Sequence, residues 1–167
     1  MYQSKHIKSI VTCGLLTTIT VFLQTAPIYL PGLGMLLSLF STLPVAIAAI
    51  ISISFGINVY IASTLLLLMI NLEEAIIFTL TTGIIGLLIG IFIFRFNLVL
   101  SIIISSVSLT IGMVILTYII AIPGFKLLFE NTKLYIVIII YILFSLIYNS
   151  IWNIFISKYR KQIEFLL

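Results

Sequence analysis

The sequence predicts an all-α integral membrane protein with six transmembrane helices, and three observations carry the prediction. The first is a run of 64 residues, Ser9 to Leu72, that holds no Asp, Glu, Lys, Arg or His. A spanning helix needs about 20 apolar residues at about 1.5 Å rise each, so this run crosses a bilayer more than once and turns without charge. The second is composition: 63% of the 167 residues are hydrophobic and 7% are charged, with a mean hydropathy of +1.41, against roughly 25% charged in an ordinary globular chain. The third is where the charges fall. Lys5, Lys8, Glu73, Glu74, Arg95, Lys126, Glu130, Lys133, Lys158, Arg160, Lys161 and Glu164 divide the rest into uncharged blocks of spanning length.

The first span covers 7–26 and is closed by Pro27-Ile-Tyr-Leu-Pro31-Gly-Leu-Gly34, whose prolines and glycines punctuate a loop at the membrane surface. A basic tip before an apolar run imitates a secretory signal, but no A-x-A-like site precedes Pro27, so the segment is expected to be a retained helix. Residues 33–51 and 54–72 form the second and third spans, with a tight turn between Ser52 and Asn58, where Ser52, Gly56 and Asn58 cluster. Pro44 kinks the second span or marks its start. Glu73-Glu74 ends that block, and 75–94 is the fourth span, running to Arg95. Residues 97–122 are the fifth. Pro123-Gly124 opens a polar connection with Lys126, Glu130, Asn131 and Lys133, and 134–156 is the sixth span, before the basic tail Lys158 to Lys161. The whole of 1–167 reads as one six-helix domain.

Charge asymmetry sets the expected orientation, because short cytoplasmic loops are enriched in Lys and Arg. Six crossings with the N-terminus inside place Lys5, Lys8, Arg95, Lys158, Arg160 and Lys161 inside, and Lys126 and Lys133 outside. Five crossings would divide the same residues evenly. Six spans with both termini cytoplasmic are therefore expected, which puts Glu73, Glu74 and Glu130 on the outer side.

Composition also excludes chemistries. His6 is the only histidine and lies at the N-terminal tip, which removes a Ser/His protease and any HExxH zinc site. Asp is absent altogether, which removes aspartyl proteases and Asp-based phosphoryl transfer. No GxxxxGK[ST] occurs, so nucleotide hydrolysis by that route is closed. Cys13 is the only cysteine, so no thiolate metal cluster forms. No ionisable residue is expected near the midplane of a span, where pumps and ion-coupled carriers place one. No enzyme, cofactor, metal or nucleic-acid partner is expected; the basic residues flank apolar runs, where topology and anionic lipid account for them.

The remaining candidates each carry two readings. Glu73-Glu74, beside Asn71, suits the grip of a cationic or polyhydroxyl solute; equally, acids at the start of a helix suit its dipole. Tyr29, Tyr118, Tyr135 and Tyr141 fit an outward pocket shared with Gln24 and Thr79, or an interfacial aromatic belt with packing. Ser9, Cys13 and Thr17 recur at i, i+4, with Gly14 and Thr18 alongside, a smooth flank that suits docking of another membrane protein or close internal packing. Gly83, Gly86 and Gly90, with a GxxxG at 86–90, form a small-residue face suited to helix packing. Asn149 and Asn153, beside Tyr148 and Trp152, are expected to bond between helices.

The order Tyr29-Leu-Pro31-Gly-Leu-Gly34, Leu43-Pro44-Val45-Ala46, Phe55-Gly56 and Thr82-Gly83-Ile-Ile-Gly86-Leu-Leu-Ile-Gly90 resembles the YybS-like bacterial membrane proteins. These are similar in turn to the substrate-binding S components of energy-coupling-factor (ECF) transporters. The resemblance implies a six-helix subunit of the bacterial plasma membrane with both termini cytoplasmic. It implies uptake of a small water-soluble, vitamin-like nutrient, energised by partner transmembrane and ATPase subunits. Carried onto this chain, the loop 27–34 is the gate, 71–74 is a pocket edge, and Ser9, Cys13, Gly14, Thr17 and Thr18 are the docking face. The alanine-rich docking motif of that family's first helix is replaced here by Cys, Gly, Thr and Ser. A structural, scaffolding role like that of the six-helix MreD proteins is the alternative.

Overall fold

The computed structural model of the chain describes residues 2–124, 129 and 132–165, with the side chains of 10–93, 95–124, 129 and 132–158. The expectations placed on Lys126 and Glu130 lie outside the described residues. The described residues are helical, and six stretches are long and apolar enough to cross a membrane: Ile10–Tyr29, Leu33–Ile51, Ile53–Ile70, Leu72–Ile93, Leu98–Ile119 and Leu134–Lys158. The chain is a multi-pass membrane protein. It divides into two compact units, Met1–Ile91 and Phe92–Leu167.

The first unit opens with α1 (Tyr2–Tyr29). Pro27 does not stop this helix; it sits in the last turn, where its missing N–H forfeits one bond, and Leu30 N–H still reaches the Ala26 carbonyl at 2.9 Å. The chain reverses through Leu30–Gly32, where Gly32 takes a φ of +85° that an L side chain resists. Then α2 (Leu33–Leu39) runs back along α1. Gly34 permits this closeness, because a Cβ there would meet the Ala26 carbonyl.

The second span is not one helix. It breaks at Phe40–Ser41 before α3 (Thr42–Ile51). Pro44 causes the break without lying in it: its ring opposes the carbonyl four residues earlier, that of Phe40, and its own place is the first turn of α3, where no N–H is required. One extended residue, Ser52 (φ −161°, ψ 144°), joins α3 to α4 (Ile53–Ile70). The turn expected across Ser52–Asn58 is thus a single residue, and Gly56 lies inside α4 instead. A Cβ on Gly56 would stand 2.5 Å from the Ala49 Cβ, so glycine is there for helix contact.

Asn71 (φ −156°, ψ 119°) makes an equally short joint to α5 (Leu72–Leu80). The fourth span is interrupted too, at Thr81, whose φ of −124° and ψ of −96° separate α5 from α6 (Thr82–Arg95). The centre of the unit is α3, whose Val45, Ala46 and Ala48 are fully buried. On α6, a Cβ at Gly86 would lie 2.7 Å from the Thr42 carbonyl, and one at Gly90 would run into Ala49 and stand 2.7 Å from the Ala46 carbonyl. The glycine face of α6 therefore packs on the backbone of α3. Val45, Ala48, Val59, Leu67, Ala75 and Phe78 form the core around it.

The second unit is built on α7 (Leu98–Val114) and α8 (Leu134–Phe165), packed together. α7 ends in a π-helical turn, Ile115–Ile119, in which Ile120 N–H reaches back five residues to Ile115. Ala121, at φ +56°, reverses the chain so that Ile122 N–H returns to the Leu116 carbonyl, and Pro123 follows.

Candidate functional site

The inward stripe of α1 runs Cys13, Thr17, Thr20, Gln24, at i, i+4, i+7 and i+11, which is one helical face. Cys13 packs on the core, and Thr17, Thr20 and Gln24 are buried. Thr20 spends its hydroxyl on the Leu16 carbonyl at 2.7 Å, the usual way of hiding a hydroxyl in an apolar helix. Gln24 has no such local outlet, and at 1% exposure its amide needs partners from other elements.

It finds three. Gln24 Oε1 accepts from Ser41 Oγ at 2.8 Å and from Thr82 Oγ1 at 3.0 Å, while Nε2 donates to Glu74 Oε2 at 2.8 Å. An ionised carboxylate only accepts, so the amide nitrogen must face Glu74 and the carbonyl must face the two hydroxyls. Ser41 lies at the break between α2 and α3, and Thr82 is the first residue after the break between α5 and α6. The node thus gathers both helix interruptions of the unit onto one side chain of α1.

Glu74 arrives from the first turn of α5. Asn71 caps that helix, its Oδ1 accepting from Glu74 N–H at 3.1 Å, and Asn71 N–H donates to the Leu67 carbonyl at 2.8 Å. In a capping box the glutamate side chain would return to the Asn71 N–H; here that donor is taken and the carboxylate turns to Gln24. Both acids sit where the α5 dipole favours negative charge. Among the described residues Glu74 has no cationic partner, and its side chain receives one hydrogen bond, from Gln24.

Of the residues expected to bind solute, Asn71 and Glu74 are brought together by the cap, and Glu73 is exposed beside them. Thr79 is half-buried and folds its hydroxyl onto the Ala75 carbonyl at 2.6 Å; its own carbonyl accepts from Tyr60 at 3.1 Å. Tyr29 is 73% exposed at the end of α1 and takes no part in the node. Gln24, read as either a pocket-lining or a packing residue, is 1% exposed, as the packing reading has it. Ser41 and Thr82 were missed as site residues, since nothing local distinguishes them from other hydroxyls. The available signal was Gln24 itself, the only glutamine in the charge-free run.

The expected docking flank divides between two faces. Cys13 and Thr17 point inward, whereas Gly14 has nothing within 4 Å of a Cβ and Thr18 is exposed, bonding to the Gly14 carbonyl at 2.9 Å. The Ser9 side chain lies outside the described residues. Gly83 stays against the Phe78 ring, 2.8 Å from a Cβ, while Gly86 and Gly90 face α3.

In the second unit the polar residues form a ladder. Ser101 Oγ donates to Asn153 Oδ1 at 2.6 Å, Ser106 Oγ to the Ser145 carbonyl at 3.2 Å, and Thr110 Oγ1 to Ser145 Oγ at 3.1 Å. Thr117 and Tyr141 share a bond of 2.6 Å. Tyr141 is therefore 1% exposed and structural, unlike Tyr118 and Tyr135, which are exposed. Asn149 donates to the Ser145 carbonyl at 2.9 Å and leaves its Oδ1 unpaired. An open groove lies between α7 and α8, bounded by Ile103, Val107, Ile111, Ile142 and Leu146, with Ser106 and Thr110 at its floor.

Among the described residues no three His, Cys, Asp or Glu side chains gather as a metal site. Comparison with protein-family models, curated proteins and solved structures gives no match to this chain.

Proposed function

We propose that this chain is a membrane-embedded substrate-binding subunit for uptake of a small water-soluble nutrient, energised by partner ATPase subunits, as its resemblance to the ECF S components implies. The observation that carries the reading is Glu74. A half-buried carboxylate with no cation partner among the described residues is costly to desolvate, and at the end of a span it is suited to grip a solute. It is held by Gln24 from within, beside exposed Glu73. This pair suits a solute that brings positive charge or several hydroxyl donors. Interrupted membrane helices support the same reading, because irregular backbone at that depth is tolerated where it is buried in protein or lines a cavity. With both termini cytoplasmic, the acids face the outside, the side from which a nutrient arrives. The chain contributes binding and no catalysis.

The test is affinity purification from the native membrane in mild detergent, followed by mass spectrometry of proteins and small molecules. Co-purified ATPase subunits with a bound solute, the solute being lost in Glu74→Ala, support uptake. A scaffold of the MreD type is favoured by one observation, the open face of α1 at Gly14 and Thr18. Recovery of cell-wall machinery without solute establishes that reading and sinks the first.

A further inference from the structure

Gln24 is bonded to both helix breaks at once. Ser41 is 0% exposed, Thr82 6% and Gln24 1%, so bulk water is shut out of all three. In such surroundings the loss of one bond leaves its partner unsatisfied, which costs more than the bond itself contributes. The segments beyond the breaks are short. α2 has seven residues, of which Leu33, Met35 and Leu36 are exposed, and it is packed on α1 through Gly34. α5 has nine residues and is tied to the same amide near both ends, by Glu74 in its first turn and by Thr82 just past its last.

We propose that Gln24 is a latch that couples the two breaks, so that α2 and α5 are released together when its hydrogen bonds are given up. Glu74 is the trigger. When the carboxylate leaves, Nε2 is buried without an acceptor, the amide reorients, and the bonds to Ser41 and Thr82 go with it. Restoring Glu74 to the amide fastens α2 and α5 at both breaks again. The latch rests on the node alone and needs no particular solute.

Hydrogen–deuterium exchange of the full-length protein in lipid nanodiscs tests it, read in segments 33–42 and 79–84. Gln24→Leu is expected to speed exchange in both segments by about a hundredfold or more, the effect of about 3 kcal/mol lost from a buried hydrogen-bond set. Because that variant risks misfolding, Ser41→Ala and Thr82→Ala decide the matter: each is expected to speed exchange at the other's break as well as its own. Thr25→Ala, which removes a buried hydroxyl bonded within α1 to the Val21 carbonyl, is expected to leave both segments at the native rate. Acceleration confined to the mutated break overturns the latch. Coupled exchange in a protein that carries no solute or ATPase retains the latch and defeats the uptake reading; the opposite outcome does the reverse.

Discussion

In the first unit Ser41, Thr82 and Glu74 converge on Gln24 across two interrupted spans, whereas in the second the polar groups pair off in succession along α7 and α8. Both arrangements answer the same demand, that a buried polar group in an apolar surround must be bonded. They answer it with different cooperativity. A ladder loses a rung at a time, because Ser101–Asn153, the contacts of Ser106 and Thr110 with Ser145, and Thr117–Tyr141 share no residue with one another. A node loses everything with its central residue, because three partners share one amide. The second unit can therefore vary residue by residue, while the first depends on one glutamine.

The largest expected effect follows from that contrast. Gln24→Leu should destabilise the protein by about 3 kcal/mol, since it strands a carboxylate and two hydroxyls together; unfolding in detergent by heat or denaturant measures it. A loss under about 1 kcal/mol would erase the distinction between node and ladder. Next come the glycines that let α6 lie on α3. Gly90→Ala should cost about 2 kcal/mol by overpacking against Ala49 and the Ala46 carbonyl, where backbone cannot give way, and the same substitution at Gly14, with open space around it, should be nearly neutral in the same assay.

Smaller effects sharpen the other half of the comparison. Thr117→Val and Ser101→Ala should each cost about 0.6 kcal/mol, the usual worth of a hydrogen bond between membrane helices, and the two should add, being separate rungs. Strong coupling in the double mutant would show that the second unit behaves as a node as well. Least of all, Ala121→Gly should stabilise by about 0.5 kcal/mol, because it relieves a left-handed backbone at φ +56°. Thermal unfolding in the same detergent resolves the sign.

Hydropathy made the spans legible, yet the interruptions within them were only half so. Pro44 announces a disturbance near Phe40, because a proline's steric reach of four residues is a local rule. Thr81 announces nothing: its hydroxyl bonds to the Ile77 carbonyl at 2.6 Å, as threonines do in unbroken helices, and the close approach of Gly83 to the Phe78 ring just beyond it is visible only in the fold. Gly56 looked like a turn residue, since a glycine beside serines and an asparagine reads as a loop, and only its neighbour Ala49 discloses the packing role. At the candidate site, Asn71 and Glu74 were recognisable from their positions before a helix. Tyr29 was grouped with them because an aromatic residue in a proline-rich loop carries no sign of which way it points.

Membrane residence, the number of apolar helices and the scarcity of His, Cys and Asp were determined by the sequence alone. Bilayer thickness fixes how long a span must be, and charge cannot hide inside one. Gln24's partners were decided only by tertiary structure. They lie 17, 50 and 58 residues away along the chain, and an amide in a helix does not reveal which distant hydroxyl or carboxylate the fold will carry to it.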